Sequence, residues 1–324
     1  MSNPIKILVT GGYGFVGSNL VRYLNSKGVV PHVYDTAYAT ELWRNVVGLE
    51  FNLVSHAGFS YAGYDAVVHL GANVKTTETM NDGLWRNNFE LTRNIIGEVG
   101  GFKNSLNRIT RPKLIYASSA AVYGAEETDF SERCEGLKPL NAYAYTKLMV
   151  DKCAEGRISS LDLNPTAAQL IGLRFFNVYG PNERHKGDMA SVVHKALHKM
   201  SPVHTGRHEW NLFKSYRDGI AHGEQRRDFV YVGDVCDVIW HFIENDCESG
   251  VYNLGSGTAR TFNDLVRAVD PKPSIEYVDM PIGLRDQYQY HTQANLNKLR
   301  TVAKYTKEFT TLEAGIEKTR EAMS

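Results

Sequence analysis

The stretch "ILVTGGYGFVGSNLVRYL", residues 7 to 24, joins a short apolar run to three spaced glycines, Gly11, Gly14 and Gly17, and then to a segment with helical spacing. A strand that turns on glycines straight into a helix is the way a chain cradles a phosphate. The first glycine permits the tight turn, the second lets the backbone approach a pyrophosphate, and the third allows the helix to pack closely on the sheet. A glycine pattern alone is weak, but the acidic residue that ribose recognition calls for also follows. Asp35 closes the second apolar run 18 positions beyond Gly17, close to the roughly 20 of a dinucleotide fingerprint. A carboxylate there accepts the ribose hydroxyls of NAD and repels the 2′-phosphate of NADP. No Lys or Arg follows until Arg44, so these residues by themselves favour NAD.

Outward from that loop, apolar runs rich in β-branched and aromatic residues recur at 5–10, 31–35, 65–72, 113–119 and 171–178, with helix-length segments between most of them. Such alternation predicts βαβ units, hence an α/β fold: a Rossmann doubly wound parallel sheet with a smaller mixed α/β substrate domain. The dinucleotide-binding domain is expected over 1–180 plus about 228–255, and the substrate domain over about 181–227 and 256–324. The polar segment 201–227 reads as loop with a short strand at "WNLF", and 45–65 is short for a third strand and helix. Val235, Val238, Ile239, Phe242 and Ile243 form a core-facing helical stripe.

Composition sets the class of partner. With 324 residues, 43% hydrophobic and 22% charged, the chain reads as a soluble globular protein. Lys+Arg and Asp+Glu balance at 36 each, which points away from nucleic acid and from an anionic membrane. Cys134, Cys153, Cys236 and Cys247 lie far apart and read as reduced thiols. No signal peptide and no uninterrupted apolar run of membrane length is visible, so the expected compartment is the cytoplasm. His194 with His198, and His204 with His208, are i,i+4 pairs without an evident third ligand, so no metal is expected.

The chemistry-bearing residues come next. Ser118 and Ser119 stand at the end of a predicted strand, where open α/β sheets bind ligands. In "YAYTK", Tyr143 and Lys147 are four apart and share a helix face. A tyrosine is a poor base at neutral pH, but a neighbouring ammonium stabilises the phenolate, and Ser119 then orients a substrate hydroxyl.

The glycine loop, the serine and the tyrosine–lysine pair together resemble the extended short-chain dehydrogenase/reductase superfamily over nearly the whole chain. Within it, "YASSAAVYG", "KPLNAYAYTK", "FFNVYGPNERHKGDMAS", "LFKS", "RRDFVYVGDV" and "DQYQYHTQANLNKLR" are similar to blocks of the ADP-L-glycero-D-manno-heptose 6-epimerases. The resemblance implies an isomerase that oxidises C6″ of an ADP-heptose with a bound nicotinamide and returns the hydride to the other face, in lipopolysaccharide core synthesis. It also implies a homo-oligomer. Inversion needs two acid/base groups, and the resemblance makes Tyr143 one and Lys186 of the "HKG" loop the other; spacing alone reads Lys186 as a solvated loop cation.

The same resemblance implies cofactor contacts at Phe15, Val16, Asp35, Thr36, Leu70, Gly71, Ala72, Asn73, Val74, Asn87, Lys147 and Val178. Substrate contacts are implied at Asn177, Phe213, Lys214, Ser215, Tyr216, Arg227 and Tyr288, with Ser118 beside Ser119. Arg227 makes sense independently, since a guanidinium fork suits a diphosphate. Asp188 stands where the family has a substrate-contacting serine. The family's usual cofactor is NADP, held by a polar residue and a nearby lysine after the Asp. Here Thr36 is present and Leu42 stands near the lysine position, so NADP and NAD both stay open. Rival readings are a UDP-hexose 4-epimerase and a non-catalytic dinucleotide sensor. A dehydratase fits less well, because Ala120-Ala121 replace the acidic pair that reaction uses.

Overall fold

The computed structural model describes residues 5–36, 42–55, 60–100, 112–133, 135–161, 168–200, 209–285 and 288–323. Its first half alternates strand and helix. Strand β1 (Ile7–Thr10) leads through the glycine turn to helix α1 (Phe15–Ser26), followed by β2 (His32–Tyr34), a 3-10 turn at Leu42–Val46, the two-residue β3 (Asn52–Leu53) and β4 (Ala66–His69). Helix α2 (Asp82–Trp85) continues through a π turn at Arg86–Glu90 into α3 (Leu91–Gly100), and β5 (Lys113–Ser119), α4 (Ala142–Leu161) and β6 (Gln169–Phe175) complete the alternation.

The second half is irregular. It contains β7 (Asn177–Tyr179), a 3-10 turn at Arg184–Met189, α5 (Val192–Lys199), β8 (Glu209–Phe213), β9 (Arg226–Tyr231), α6 (Val232–Glu244), β10 (Gly250–Leu254) and β11 (Ala259–Thr261). Then follow α7 (Phe262–Val269), β12 (Ser274–Val278), α8 (Ile282–Arg285), α9 (Asn297–Thr301) and α10 (Leu312–Met323).

Seven strands form one sheet in the order β3-β2-β1-β4-β5-β6-β10, and every pairing in it is parallel. Period-2 alternation explains why both faces are covered. Ile7, Val9, Val68, Ile115 and Ile171 enter one apolar cluster with α1 and α6, while Leu8, Val67, Leu114 and Leu170 enter another with α3 and α4. The predicted stripe on α6 is buried as expected. The segment 45–65 supplies only the 3-10 turn and β3 among the described residues.

Two smaller sheets carry the rest: β11-β9-β7, with β7 and β9 parallel and β11 antiparallel, and the parallel pair β12-β8. Strands β7 and β9 fall largely within ranges expected for the dinucleotide-binding part, yet they pair with each other outside the main sheet. Strand β8 contains the expected "WNLF", whereas 201–208, with His204 and His208, lie outside the described residues, as does Cys134. Among the described residues, no helix is long and apolar enough to cross a membrane.

One buried knot locks β5, β6 and α4 together. Asp151 on α4 accepts hydrogen bonds from Ser118 (2.9 Å), Tyr116 (3.2 Å) and the Arg174 guanidinium (2.9 Å), and neither charged side chain has solvent exposure. Removing one partner of a buried pair strands the other charge. Arg174→Leu is therefore expected to cost about 3–5 kcal/mol, read by urea unfolding; a loss under about 1 kcal/mol would contradict this account.

Candidate active site

The cofactor end of the site is built from close backbone approach. Gly11 has φ +70°, and a Cβ there would meet the Gly71 backbone nitrogen at 2.6 Å. A Cβ at Gly17 would fall on the Gly11 carbonyl oxygen and lie 2.8 Å from Gly12 Cα. So β1, β4 and α1 meet with no side chains between them. Gly14 is the N-cap of α1, without a side-chain cap and without an acidic residue in the first turn. Helix N–H groups left uncapped in that way suit an anion. Asp35, 9% exposed, accepts the Tyr13 amide at 2.9 Å, which places its carboxylate at the edge of the glycine turn. This cradle, closed to any Cβ and rimmed by a carboxylate, fits a nicotinamide dinucleotide.

Around the cradle, Phe15 is buried and Val16 half-buried, while Thr36 is exposed beside Asp35. The segment Leu70, Gly71, Ala72, Asn73, Val74 continues from β4 along the rim, anchored by Leu70 N–H donating to the Thr10 carbonyl at 3.1 Å. Asn87, expected as a contact, is exposed on the π turn. Its neighbour Asn88 is fully buried and both accepts from Asn73 N–H (2.8 Å) and donates to the Asn73 carbonyl (2.9 Å), so Asn88 shapes this rim.

Tyr143 and Lys147 lie one turn apart on α4, with the Lys147 ammonium 5.8 Å from the Tyr143 ring centroid. Lys147 is 3% exposed and donates to the Ala117 carbonyl at 2.8 Å. Burial lowers it to about 8, against a smaller upward pull from Asp151. Burial likewise pushes the Tyr143 phenol up, and its hydrogen bond with Ser119 pulls it back. Ser119 also caps the turn after β5 by accepting from Ala121 N–H at 3.2 Å. Behind them, burial and then the Lys147 charge lower His69 to about 3, so its neutral ring bridges Thr10 (2.6 Å) and Thr92 (3.1 Å).

Ser118 departs from expectation. It is 2% exposed with its hydroxyl committed to Asp151, so it supports the strand and is not turned to a ligand. Alternation along β5 sends adjacent serines to opposite sides.

Lys186 sits in the 3-10 turn at Arg184–Met189, its Nζ 2.8 Å from Glu183 and 4.7 Å from the centroid of Phe15 on α1. The turn is tied to the cofactor end at further points. Asn182 donates to Ser18 (3.1 Å), Asn19 donates to the Pro181 carbonyl (3.0 Å), and Asn45 contacts both His185 (3.1 Å) and the Tyr13 carbonyl (2.9 Å). Asp188 is exposed, and its carbonyl accepts from Lys195 at 2.6 Å.

A cleft of about 610 Å³ opens beside Ser119 and Tyr143, lined by their neighbours Ala121 and Ala142, by Thr76, Thr77 and Thr79, and by Arg227 and Tyr288. Arg227 lies 5.0 Å from the Tyr288 ring centroid and pairs with no carboxylate among the described residues, and burial lowers it from its ordinary value. A desolvated guanidinium lining a cleft suits a phosphate. Phe213 packs edge-on to Tyr288 at 6.1 Å. The following residues turn outward: Lys214 pairs with Asp279 at 3.0 Å, the Ser215 hydroxyl donates to the Arg217 carbonyl at 3.2 Å, and Tyr216 lies under the Arg285 guanidinium at 3.7 Å. Asn177 is exposed and Val178 half-buried on β7.

Sequence reasoning missed Glu183, Asn88, Asn45 and the threonine wall. Glu183 was within reach, being three residues before Lys186 on a turn.

Comparison with known proteins gives the chain its relatives. The sequence profile described as the NAD dependent epimerase/dehydratase family matches residues 7–255. An ADP-L-glycero-D-manno-heptose-6-epimerase of Nitratidesulfovibrio vulgaris is 40% identical over 95% of each chain, and one of Fusobacterium nucleatum is 38% identical over 96% of this chain and 95% of its own. The crystal structure of the Helicobacter pylori ADP-L-glycero-D-manno-heptose-6-epimerase superposes with a TM-score of 0.77 at 26% identity, covering 98% of this chain and 95% of that one.

Two outcomes follow from the geometry. Gly17→Ala should cost about 1–3 kcal/mol and weaken dinucleotide binding, measured by thermal melting and fluorescence titration; unchanged binding would contradict the cradle. The Lys147 ammonium is lost as pH rises through about 8, so turnover should decline above that pH, and a rate still rising at high pH would remove Lys147 from its role.

Proposed function

The chain belongs to the NAD dependent epimerase/dehydratase family, and we propose that within it the chain inverts C6″ of an ADP-glycero-manno-heptose through a transient 6″-ketone. One observation carries this reading. Besides the tyrosine–lysine pair on α4, a second proton-bearing side chain, Lys186, is held at the opening turn of α1. Oxidation alone is served by one proton-handling group, whereas a second one at a different place in the site suits an inversion in which the ketone presents its other face before it is reduced.

Gly11, Gly14 and Gly17 with the α1 N-terminus would hold the pyrophosphate, and Asp35 the ribose. Bound there, a nicotinamide dinucleotide supplies a reversible hydride acceptor. The chain's own residues do the rest. Arg227 takes the diphosphate of the sugar nucleotide. Ser119 orients the C6″ hydroxyl and Tyr143 removes its proton, with the Lys147 ammonium stabilising the phenolate. After the ketone has presented its other face, Lys186 delivers a proton to the oxygen. At the rim the Asp35 carboxylate favours NAD, and Thr36 beside it is exposed; paired titrations with NAD and NADP rank the two.

The test is incubation of the cofactor-loaded protein with ADP-D-glycero-β-D-manno-heptose, following the C6″ configuration by NMR. Conversion is expected, with Tyr143→Phe and Lys186→Ala each slowing it by about 10²–10⁴-fold. No conversion by the folded wild type would overturn the assignment, and turnover of a UDP-hexose in its place would move the reaction to C4.

A further inference from the structure

Glu183 has no solvent exposure, and a carboxylate so buried is costly unless its oxygens are matched. Here both are. Oε1 accepts from Gly180 N–H (3.2 Å) and the Ser191 hydroxyl (2.6 Å), and Oε2 accepts from Ser191 N–H (2.8 Å) and the Lys186 ammonium (2.8 Å). Ser191 in turn caps α5 by accepting from His194 N–H at 3.0 Å. One side chain therefore joins the end of β7, the lysine-bearing turn and the start of α5.

We propose that Glu183 is the positioning residue for Lys186: it supplies the counter-charge and fixes the place of the second acid/base group. This rests on the reading of Lys186 given above. The Lys186 side chain is only 17% exposed, so an ammonium there has lost most of its water and needs a partner. Phe15 offers its ring face at 4.7 Å, and Glu183 supplies the charge. The backbone adds a second constraint, since Gly187 has φ +51°, which L side chains rarely adopt, and this bend directly follows the lysine.

The other ionisable groups around the pair do not duplicate Glu183. Burial lowers both His185, on the same turn, and His194, on α5. Arg184 and Asp188 lie on the turn and are exposed; α1 contributes Phe15, Ser18 and Asn19, and the 42–46 turn contributes Asn45, with Arg44 exposed. Glu183 is thus the sole carboxylate paired with Lys186 among the described residues.

When the ketone is reduced, Lys186 gives a proton to the carbonyl oxygen and is left as a neutral amine. In the reverse direction it takes the hydroxyl proton, and the ammonium that forms is met by Glu183. In the forward direction Tyr143 has gained one proton and Lys186 has lost one, and exchange with water restores both before the next cycle.

Glu183→Gln, in the full chain loaded with cofactor, tests this by two readouts. The first is the rate of Lys186 acylation by acetic anhydride at one fixed pH, measured by peptide mass spectrometry, which needs no turnover. It should rise about 10-fold once the carboxylate no longer holds the ammonium. The second is steady-state epimerisation, in which kcat should drop about 10–100-fold with KM nearly unchanged, a split that general loosening of the fold would not give. A folded Glu183→Gln protein with the wild-type acylation rate and kcat overturns the proposal. If Glu183→Gln does not fold, Glu183→Asp, which keeps the charge but withdraws it by one methylene, goes through the acylation assay; faster acylation supports the proposal and an unchanged rate overturns it. Should Lys186→Ala turn over like wild type, the catalytic reading of Lys186 fails, and with it the claim that Glu183 serves catalysis.

Discussion

The backbone of residue 17 approaches the carbonyl of Gly11 so closely that no side chain fits between them, and the placement of α1 against β1 follows from that contact. Because α1 comes this near, its uncapped N–H groups open at the C-terminal edge of the sheet, at the switch point where the strand order passes from β1 to β4. The same helix then acts as a post for the Lys186 turn: Ser18 and Asn19 hold Asn182 and Pro181, and Phe15 lies under Lys186. The glycine cradle and the Lys186 turn are thus parts of one packed unit.

Burial does electrostatic work on the opposite wall. Lys147 is stripped of water and lowered to about 8, near the pH at which an enzyme works, while the Tyr143 phenol is pushed up by the same burial. Positive charge beside a buried phenol favours its ionised form, and the Lys147 ammonium stands 5.8 Å from the Tyr143 ring centroid on the same helix face. His69 completes the arrangement by staying neutral between two threonines. No second cation then competes for that place.

Much of this was legible in the residues. Alternating apolar runs announce a doubly wound sheet because strands buried on both faces must be apolar throughout, and glycine spacing with Asp35 announces the cradle because backbone approach and ribose chemistry tolerate few substitutes. The small sheet was not legible, since β7 and β9 pair across some fifty residues that include α5 and β8. Nor was the division of labour between neighbours. Ser118 and Ser119 look alike in sequence, as do Asn87 and Asn88, but only the packing decides which of each pair turns inward. Glu183 reads as one more charge in a polar loop until its burial shows that four donors converge on it.

The central claim is that inversion at C6″ proceeds by removing a hydride and returning the same one. Supplying ADP-D-glycero-β-D-manno-heptose labelled with deuterium at C6″ to the cofactor-loaded protein in ordinary water tests it most directly. The epimerised product should keep its deuterium at C6″. Loss of the label to water would contradict it, because the hydrogen would then have left as a proton.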